Sequence, residues 1–384
     1  MNILLTIHHT LNPDAGAEGV TLELACAYRR MGHDVEVFAY DHLPERMSTN
    51  VKRLLFPYYV QRFISRRKEP FDVVDASSGD AWFWARAART ASRRVTTLIT
   101  RSHGLEHLSH QVLKQMAGQG LRQLSWKYPL YHGGFRLWEV EQSFRLADGS
   151  VMLNEAELAY GKNRFGLERP VVIGNGISDC FLGRPVEIAP LSAADPLRIA
   201  VVGRYDPLKG TVYAAEALTA FMLAQPNVHV AFLGTRRPSA SVMEDYPAEL
   251  HPRIGVVPQY PHRELPKLLN GFHIKLFPSL KEGLGMALIE GMACGLAPVT
   301  TAIPGPSDVV SDGENGLVVP PGDAGELLQA LEKLASDREL LARLRRGAWQ
   351  TAQRFNWEDI ASRTLDYYGH CKERQDKLPM PRSV

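Results

Sequence analysis

Short runs rich in β-branched residues alternate with amphipathic runs along this chain, and the alternation happens twice. The first cycle places strands at 3–7, 35–39, 73–76, 95–100, 151–153 and 171–173, with a helix at 18–31. The second places strands at 197–202, 228–233, 254–257, 274–277 and 297–300, with a helix at 211–223. Parallel neighbours need a long return connection, so this pattern predicts parallel sheets covered by helices. Residues 183–196 between the cycles hold Pro185, Pro190 and Pro196 among small residues without periodicity, and read as a linker. A length of 384 residues is too great for one core and suits two α/β domains. After Asp323 helices are expected at 325–334, 338–355 and 357–368, and residues 377–384 read as a fraying tail.

Within the second cycle, residues 278–299 carry the most chemistry. An apolar run at 274–277 reads as a buried strand and 286–294 as a helix, so Gly283 and Gly285 fall at a strand-to-helix junction. Amides in a first helical turn have no internal partner and share the positive end of the helix dipole, which makes such junctions anion sites. The glycines tolerate positive φ and let a ligand approach the backbone of Gly283, Leu284, Gly285 and Met286. Two carboxylates, Glu282 and Glu290, stand eight residues apart around this loop.

With its Pro-Ser, Glu-Gly-x-Gly, Glu and Met-Ala-x-Gly elements, this segment resembles the retaining glycosyltransferases of family 4, built on the GT-B fold. Val202-Gly203-Arg204-Tyr205-Asp206-Pro207-Leu208-Lys209-Gly210 is similar to that family's Gly-Arg and Lys-Gly element, and 312–323 to its Gly-x-Asn-Gly and Pro-Gly-Asp turn. In the first half, Gly16 with the following helix, Gly32-His33, Ser102-His103-Gly104 and Asn175-Gly176-Ile177 resemble family landmarks at lower density. Ala15 stands where many members have a first glycine, and His273 where many have Asp, the latter expected to have a local structural effect.

The resemblance implies two Rossmann-like domains facing across a cleft, with a C-terminal helix crossing back to the first. The expected boundaries are 1–185 for an acceptor-binding domain, 186–196 for the linker, 197–355 for a nucleotide-sugar domain, and 356–384 for the crossover helix and tail. It also implies that Arg204 and Lys209 hold the donor diphosphate and that Glu290 grips the nucleotide ribose. Glu282 is implied to face the reacting sugar, to orient it or to stabilise charge at the anomeric carbon. His103 is implied to touch the same sugar, and Gly16 to approach the diphosphate, although a helix-start glycine explains Gly16 equally well.

A diphosphate leaving group gathers negative charge that something cationic must meet. No Asp-x-Asp motif is present to hold a metal ion for that purpose. The guanidinium fork of Arg204, the ammonium of Lys209 and the loop amides can substitute for one. His103, His107 and His110 are closely spaced, but Gly104 and the lack of a further ligand weigh against a metal site.

Composition narrows the partners. Lys and Arg number 44 against 42 Asp and Glu, a net +2, so no polyanionic partner such as nucleic acid is indicated. Residues 51–101 are uneven, with eleven basic against four acidic side chains around Phe56, Tyr58, Tyr59 and Phe63. That stretch is either a solvated helix face or a surface for lipid headgroups or an anionic acceptor. Cys26, Cys180, Cys294 and Cys371 are scattered and read as reduced thiols. The N-terminal run lacks a basic leader, and no apolar stretch nears the roughly 20 residues of a membrane span. The expectation is a cytoplasmic enzyme, with or without contact at the membrane surface.

The expected function is retaining, metal-independent sugar transfer from a UDP- or GDP-linked donor to a glycan, lipid-linked or small-molecule acceptor, with no cofactor. The alternatives are a GT-B epimerase or phosphorylase, or a sugar-nucleotide-binding protein without turnover. A dehydrogenase is disfavoured, since His8-His9-Thr10-Leu11-Asn12-Pro13-Asp14 follows the first strand with no Gly-x-Gly-x-x-Gly.

Overall fold

The central β-branched and apolar runs, at 3–7, 73–77, 97–101, 274–277 and 297–301, become strands buried on both faces. A computed structural model describes residues 1–14, 16–90, 95–183, 186–192 and 194–377. The strands are β1 (Asn2–Ile7), β2 (Asp34–Ala39), β3 (Val73–Ser77), β4 (Thr97–Arg101), β5 (Gly149–Met152) and β6 (Pro170–Val172). They continue as β7 (Leu197–Val202), β8 (Val228–Leu233), β9 (Ile254–Val257), β10 (Ile274–Phe277), β11 (Ala297–Thr301) and β12 (Leu317–Val319). Among the described residues they form two six-stranded sheets, ordered β2-β1-β3-β4-β5-β6 and β12-β11-β10-β7-β8-β9. Every pairing between these strands is parallel.

The chain divides into two compact units. One contains Met1–Gln111, Gln123–Gly176 and Trp357–Val384, and the other Val112–Arg122 and Ile177–Asn356. The first unit ends its main run earlier than residue 185. Ile177 and Phe181, both 0% exposed, pack into the second unit's core, and the Ile177 amide donates to the Phe355 carbonyl at 2.7 Å. In the linker, residues 184, 185 and 193 lie outside the described residues, as do 378–384 of the expected tail.

The second unit has an apolar layer on each side of its sheet. One joins Ile199, Leu218, Phe221, Phe232 and Leu331, and the other Ala200, Phe277, Leu288, Ile289 and Met292. In the first unit, Ile3, Leu24, Tyr28 and Ile99 share a core with Trp357, Ile360, Ala361 and Tyr368 of the last helix, Trp357–Lys377. That helix therefore returns to the first unit, as expected of a crossover.

A buried ion pair fastens it. Arg101, at the end of β4, donates from Nε and Nη2 to Oδ2 of Asp75 on β3, at 2.9 and 2.6 Å. The Tyr368 hydroxyl donates to the same carboxylate and accepts from Tyr28 at 3.0 Å. Both charged side chains are nearly fully buried, so each needs the other to stay paired.

Differences from the expected elements are local. β4 begins at Thr97, since Val95 is 64% exposed and lies outside the sheet. β12, read as part of a turn, pairs with β11. The last helix runs well past residue 368. Asp75→Ala leaves the Arg101 guanidinium buried without a partner and is expected to cost about 3–5 kcal/mol of stability. Chemical denaturation checks this, and a variant as stable as the parent contradicts it.

Candidate functional site

In an open parallel sheet, ligands lodge beyond the carboxyl ends of the strands where the strand order reverses. In the second sheet that point lies between β7 and β10. β7 runs into Gly203 and Arg204, and β10 into Pro278 and the glycine loop.

Asp206 caps the short turn Pro207–Lys209 by accepting the Leu208 amide at 2.9 Å. Gly210 follows at φ +70°, and a Cβ there would lie 1.8 Å from the Pro278 carbonyl oxygen. Only glycine lets the two turns lie this close. The Leu280 amide then donates to the Leu208 carbonyl at 2.9 Å. This clamp brings Lys209 Nζ to 2.6 Å from Glu282 Oε1. Arg204 is exposed beside them and lines a small cavity with Lys209, Phe277, Pro278 and Ser279. Of the two cations, Lys209 already has a carboxylate partner, while Arg204 has none among the described residues.

Beyond Glu282 the loop is pinned from the far side, since a Cβ on Gly305 would come within 2.2 Å of the Gly283 carbonyl oxygen. Gly285, at φ 89° and ψ 54°, precedes the helix Met286–Ala293 and supplies no side-chain cap. The Leu288 amide turns back to the Gly285 carbonyl at 2.9 Å, while those of Met286 and Ala287 have no acceptor among the described residues and are open to an anion. Leu284 is 5% exposed and its side chain belongs to the core, so it offers only its backbone.

Glu290 lies one turn further along, 6% exposed. Its Oε1 accepts from His262 Nε2 at 2.8 Å. His262 was not expected from the sequence; it sits in an irregular stretch after β9 with no periodic signal to single it out. Tyr260 is close by, its hydroxyl pushed up by burial and by the Glu290 charge. At the opposite end of β10, His273 Nδ1 accepts the Arg198 amide at 3.1 Å, a structural bond of the kind expected there.

The other expected residues belong to the first unit. His103 follows β4 and is half-buried; burial, then the neighbouring Arg101, pull its imidazole down to about 3, so it is neutral at physiological pH. Gly16 opens the helix Gly16–Arg30, is exposed, and a Cβ there would meet nothing within 4 Å. Ala15 lies outside the described residues. His107 packs against Phe165 with ring centroids 4.9 Å apart, and His110 bonds the Tyr128 hydroxyl at 3.1 Å. Among the described residues no three His, Cys, Asp or Glu side chains converge as a metal site.

At the reversal point of the first sheet, between β1 and β3, lies a polar cluster that the sequence did not announce. His8 Nδ1 is 2.8 Å from Asp80 Oδ1, Thr6 donates to Asp80 Oδ2 at 3.0 Å, and Arg136 Nη2 lies 3.1 Å from His8 Nε2. Burial raises Asp80 and Glu139 to about 7 each and lowers His8 well below its usual value.

The arrangement defines a class: a doubly wound sheet whose reversal point presents cations and bare helix amides to an anionic ligand. Residues 187–351 match the family described as glycosyl transferases group 1, and residues 15–179 match glycosyltransferase family 4. The chain belongs to the family 4 glycosyltransferases, enzymes of the GT-B fold.

Among relatives, the D-inositol 3-phosphate glycosyltransferase of Acidothermus cellulolyticus is 26% identical over 396 residues, 92% of this chain and 86% of that protein. The enzyme of the same name from Kribbella flavida is 32% identical over 191 residues, 47% of this chain and 45% of that protein. The chain thus spans about half the length of several curated relatives it matches. The sucrose-phosphate synthase structure from Thermosynechococcus elongatus superposes with TM-score 0.77 at 22% identity, covering 97% of this chain and all of that one. Anabaena HepE, solved in complex with UDP, gives 0.67 at 20% identity over 96% of this chain and 100% of its own.

Gly210→Ala must force β7's turn away from Pro278 and adopt a strained φ. It is expected to lower stability by about 2 kcal/mol or more, read from the denaturant midpoint; an unaltered midpoint contradicts the clamp.

Proposed function

We propose that this protein transfers a sugar from a nucleoside diphosphate to an acceptor hydroxyl, with retention at the anomeric carbon and without a metal ion. One observation carries the reading: Arg204, Lys209 and the backbone amides of Leu284–Met286, for which no acceptor is found among the described residues, gather at the reversal point of the second sheet. The ammonium has three donors and spends one on Glu282, which leaves two for phosphate oxygens. Preorganised donors of this kind act on charge that develops as the bond breaks, and each is worth about a hundred- to a thousandfold in rate.

Glu290, steadied by His262, offers its carboxylate to the ribose hydroxyls. Glu282, steadied by Lys209, is assigned to the sugar being transferred, and neutral His103 to a hydrogen bond with that sugar. Structures of HepE with UDP and with UDP-glucose favour a UDP-linked donor, with a GDP-linked donor as the alternative.

The acceptor is assigned to the first unit. The named activity of the inositol-phosphate relatives favours a small polyol or its phosphate. The helix Thr49–Ser65 exposes Val51, Leu54, Leu55 and Tyr58, from 37 to 51% each, in a stretch that also carries Lys52, Arg53 and Arg62. This supports the alternative of a lipid-linked acceptor met at a cytoplasmic membrane surface. No helix among the described residues is long and apolar enough to cross a membrane.

Arg204→Ala and Lys209→Ala are each expected to lower transfer about a hundredfold or more with the fold retained. A near-normal rate in either removes that residue from the diphosphate. Transfer is expected to persist in EDTA; loss that magnesium restores contradicts metal independence.

A further inference from the structure

The strand that delivers the glycine loop contains a lysine with no exposure at all. Lys275 is the second residue of β10, between Ala200 of β7 and Pro298 of β11. Its methylenes press on the helix that carries Glu290, since a Cβ on Gly291 would meet Lys275 Cγ and Cδ at 3.0 Å. Its ammonium has a single weak acceptor, the Leu276 carbonyl at 3.4 Å. It lies 5.1 Å from the centroid of the Phe277 ring, which Lys209 also approaches, at 6.0 Å. No carboxylate reaches it within ion-pair distance among the described residues. The charged groups that act on it are Lys209 from the turn after β7, Glu282 from the loop, and Glu290 from the helix. Lys209 opposes the two carboxylates, and dehydration is the largest single influence. Burial first, then Lys209, pull the amine down to about 7 against the two carboxylates.

A cation with so little solvation responds strongly to any charge added nearby. We propose that Lys275 couples donor binding to proton uptake: a nucleoside diphosphate settling on Arg204 and Lys209 draws a solvent proton onto the Lys275 amine, and the resulting buried cation reinforces the positive field under the diphosphate. This rests on the donor-site reading above. The proton comes from buffer, no bond of the nucleotide changes, and the sign is fixed. Well below neutrality the amine is already protonated and binding takes up nothing. As pH rises through 7 the proton must be supplied at binding, and affinity falls.

The test is calorimetric titration of UDP, and in parallel GDP, into the full chain at pH 7.5 in HEPES and in Tris, whose ionisation enthalpies differ. The wild type is expected to take up about half a proton per nucleotide, the difference between an amine near 7 and one raised by about one unit. Lys275→Met, of similar length, is expected to lose that uptake and to bind more weakly. Lys275→Arg, which stays charged, is expected to bind without uptake. Titration of the nucleotide's own phosphate is common to all three proteins, so the difference isolates Lys275. Lys275→Met is expected to melt no lower than wild type, because a buried amine is replaced by an apolar chain. Equal uptake in wild type and Lys275→Met, or none in wild type, overturns the coupling and leaves the donor site standing. Failure of both nucleotides to bind the wild type overturns the donor-site reading and the coupling together.

Discussion

Two turns pressed together at the ends of β7 and β10 determine what the second unit can do. Gly210 lies against the Pro278 carbonyl at a distance no side chain permits, and that approach lets Lys209 reach Glu282 at 2.6 Å. The ion pair fixes the carboxylate immediately before the glycine loop, and the loop in turn leads into the helix that carries Glu290. Loosening the first contact would disturb every later one. The site is thus made by strand order and backbone geometry, and the charged side chains complete it.

Electrostatics in this unit are economical. Lys209 and Glu282 neutralise each other, so in the proposed donor site the net positive charge comes from Arg204, from helix amides, and in the proposed coupling from Lys275 once it gains a proton. Removing charges from water costs most where they are buried and unpaired. The first unit solves the same problem differently. Arg101 and Asp75 pair fully in its interior and are used to hold the last helix, while His8, Asp80 and Arg136 cluster at the sheet's reversal point.

Much of this was legible from the residues alone. The strands at 197–202, 228–233, 254–257 and 274–277 coincide with β7, β8, β9 and β10, because each is a short β-branched or apolar run between turn residues. Arg204, Lys209, Glu282, the loop at 283–286 and Glu290 lie in motifs dense enough to be recognised, and the second unit gathers them. β12 escaped because three residues between Asn315-Gly316 and Pro320-Pro321 read as turn, and its pairing with β11 is a tertiary fact. His262 and the cluster of His8, Asp80 and Arg136 escaped because their partners are distant in sequence. Lys275 passed unremarked within a run read as apolar, since periodicity cannot report what a buried amine will meet.

The central claim is that protein cations and main-chain amides of the second unit stand where an ion would otherwise neutralise the pyrophosphate. A crystal structure of the full chain with UDP, grown in EDTA, tests it most directly. The account predicts the pyrophosphate against Arg204, Lys209 and the amides of residues 284–286, with the ribose on Glu290. Nucleotide bound elsewhere with this pocket empty, or bound here only when a divalent ion bridges its phosphates, would contradict it.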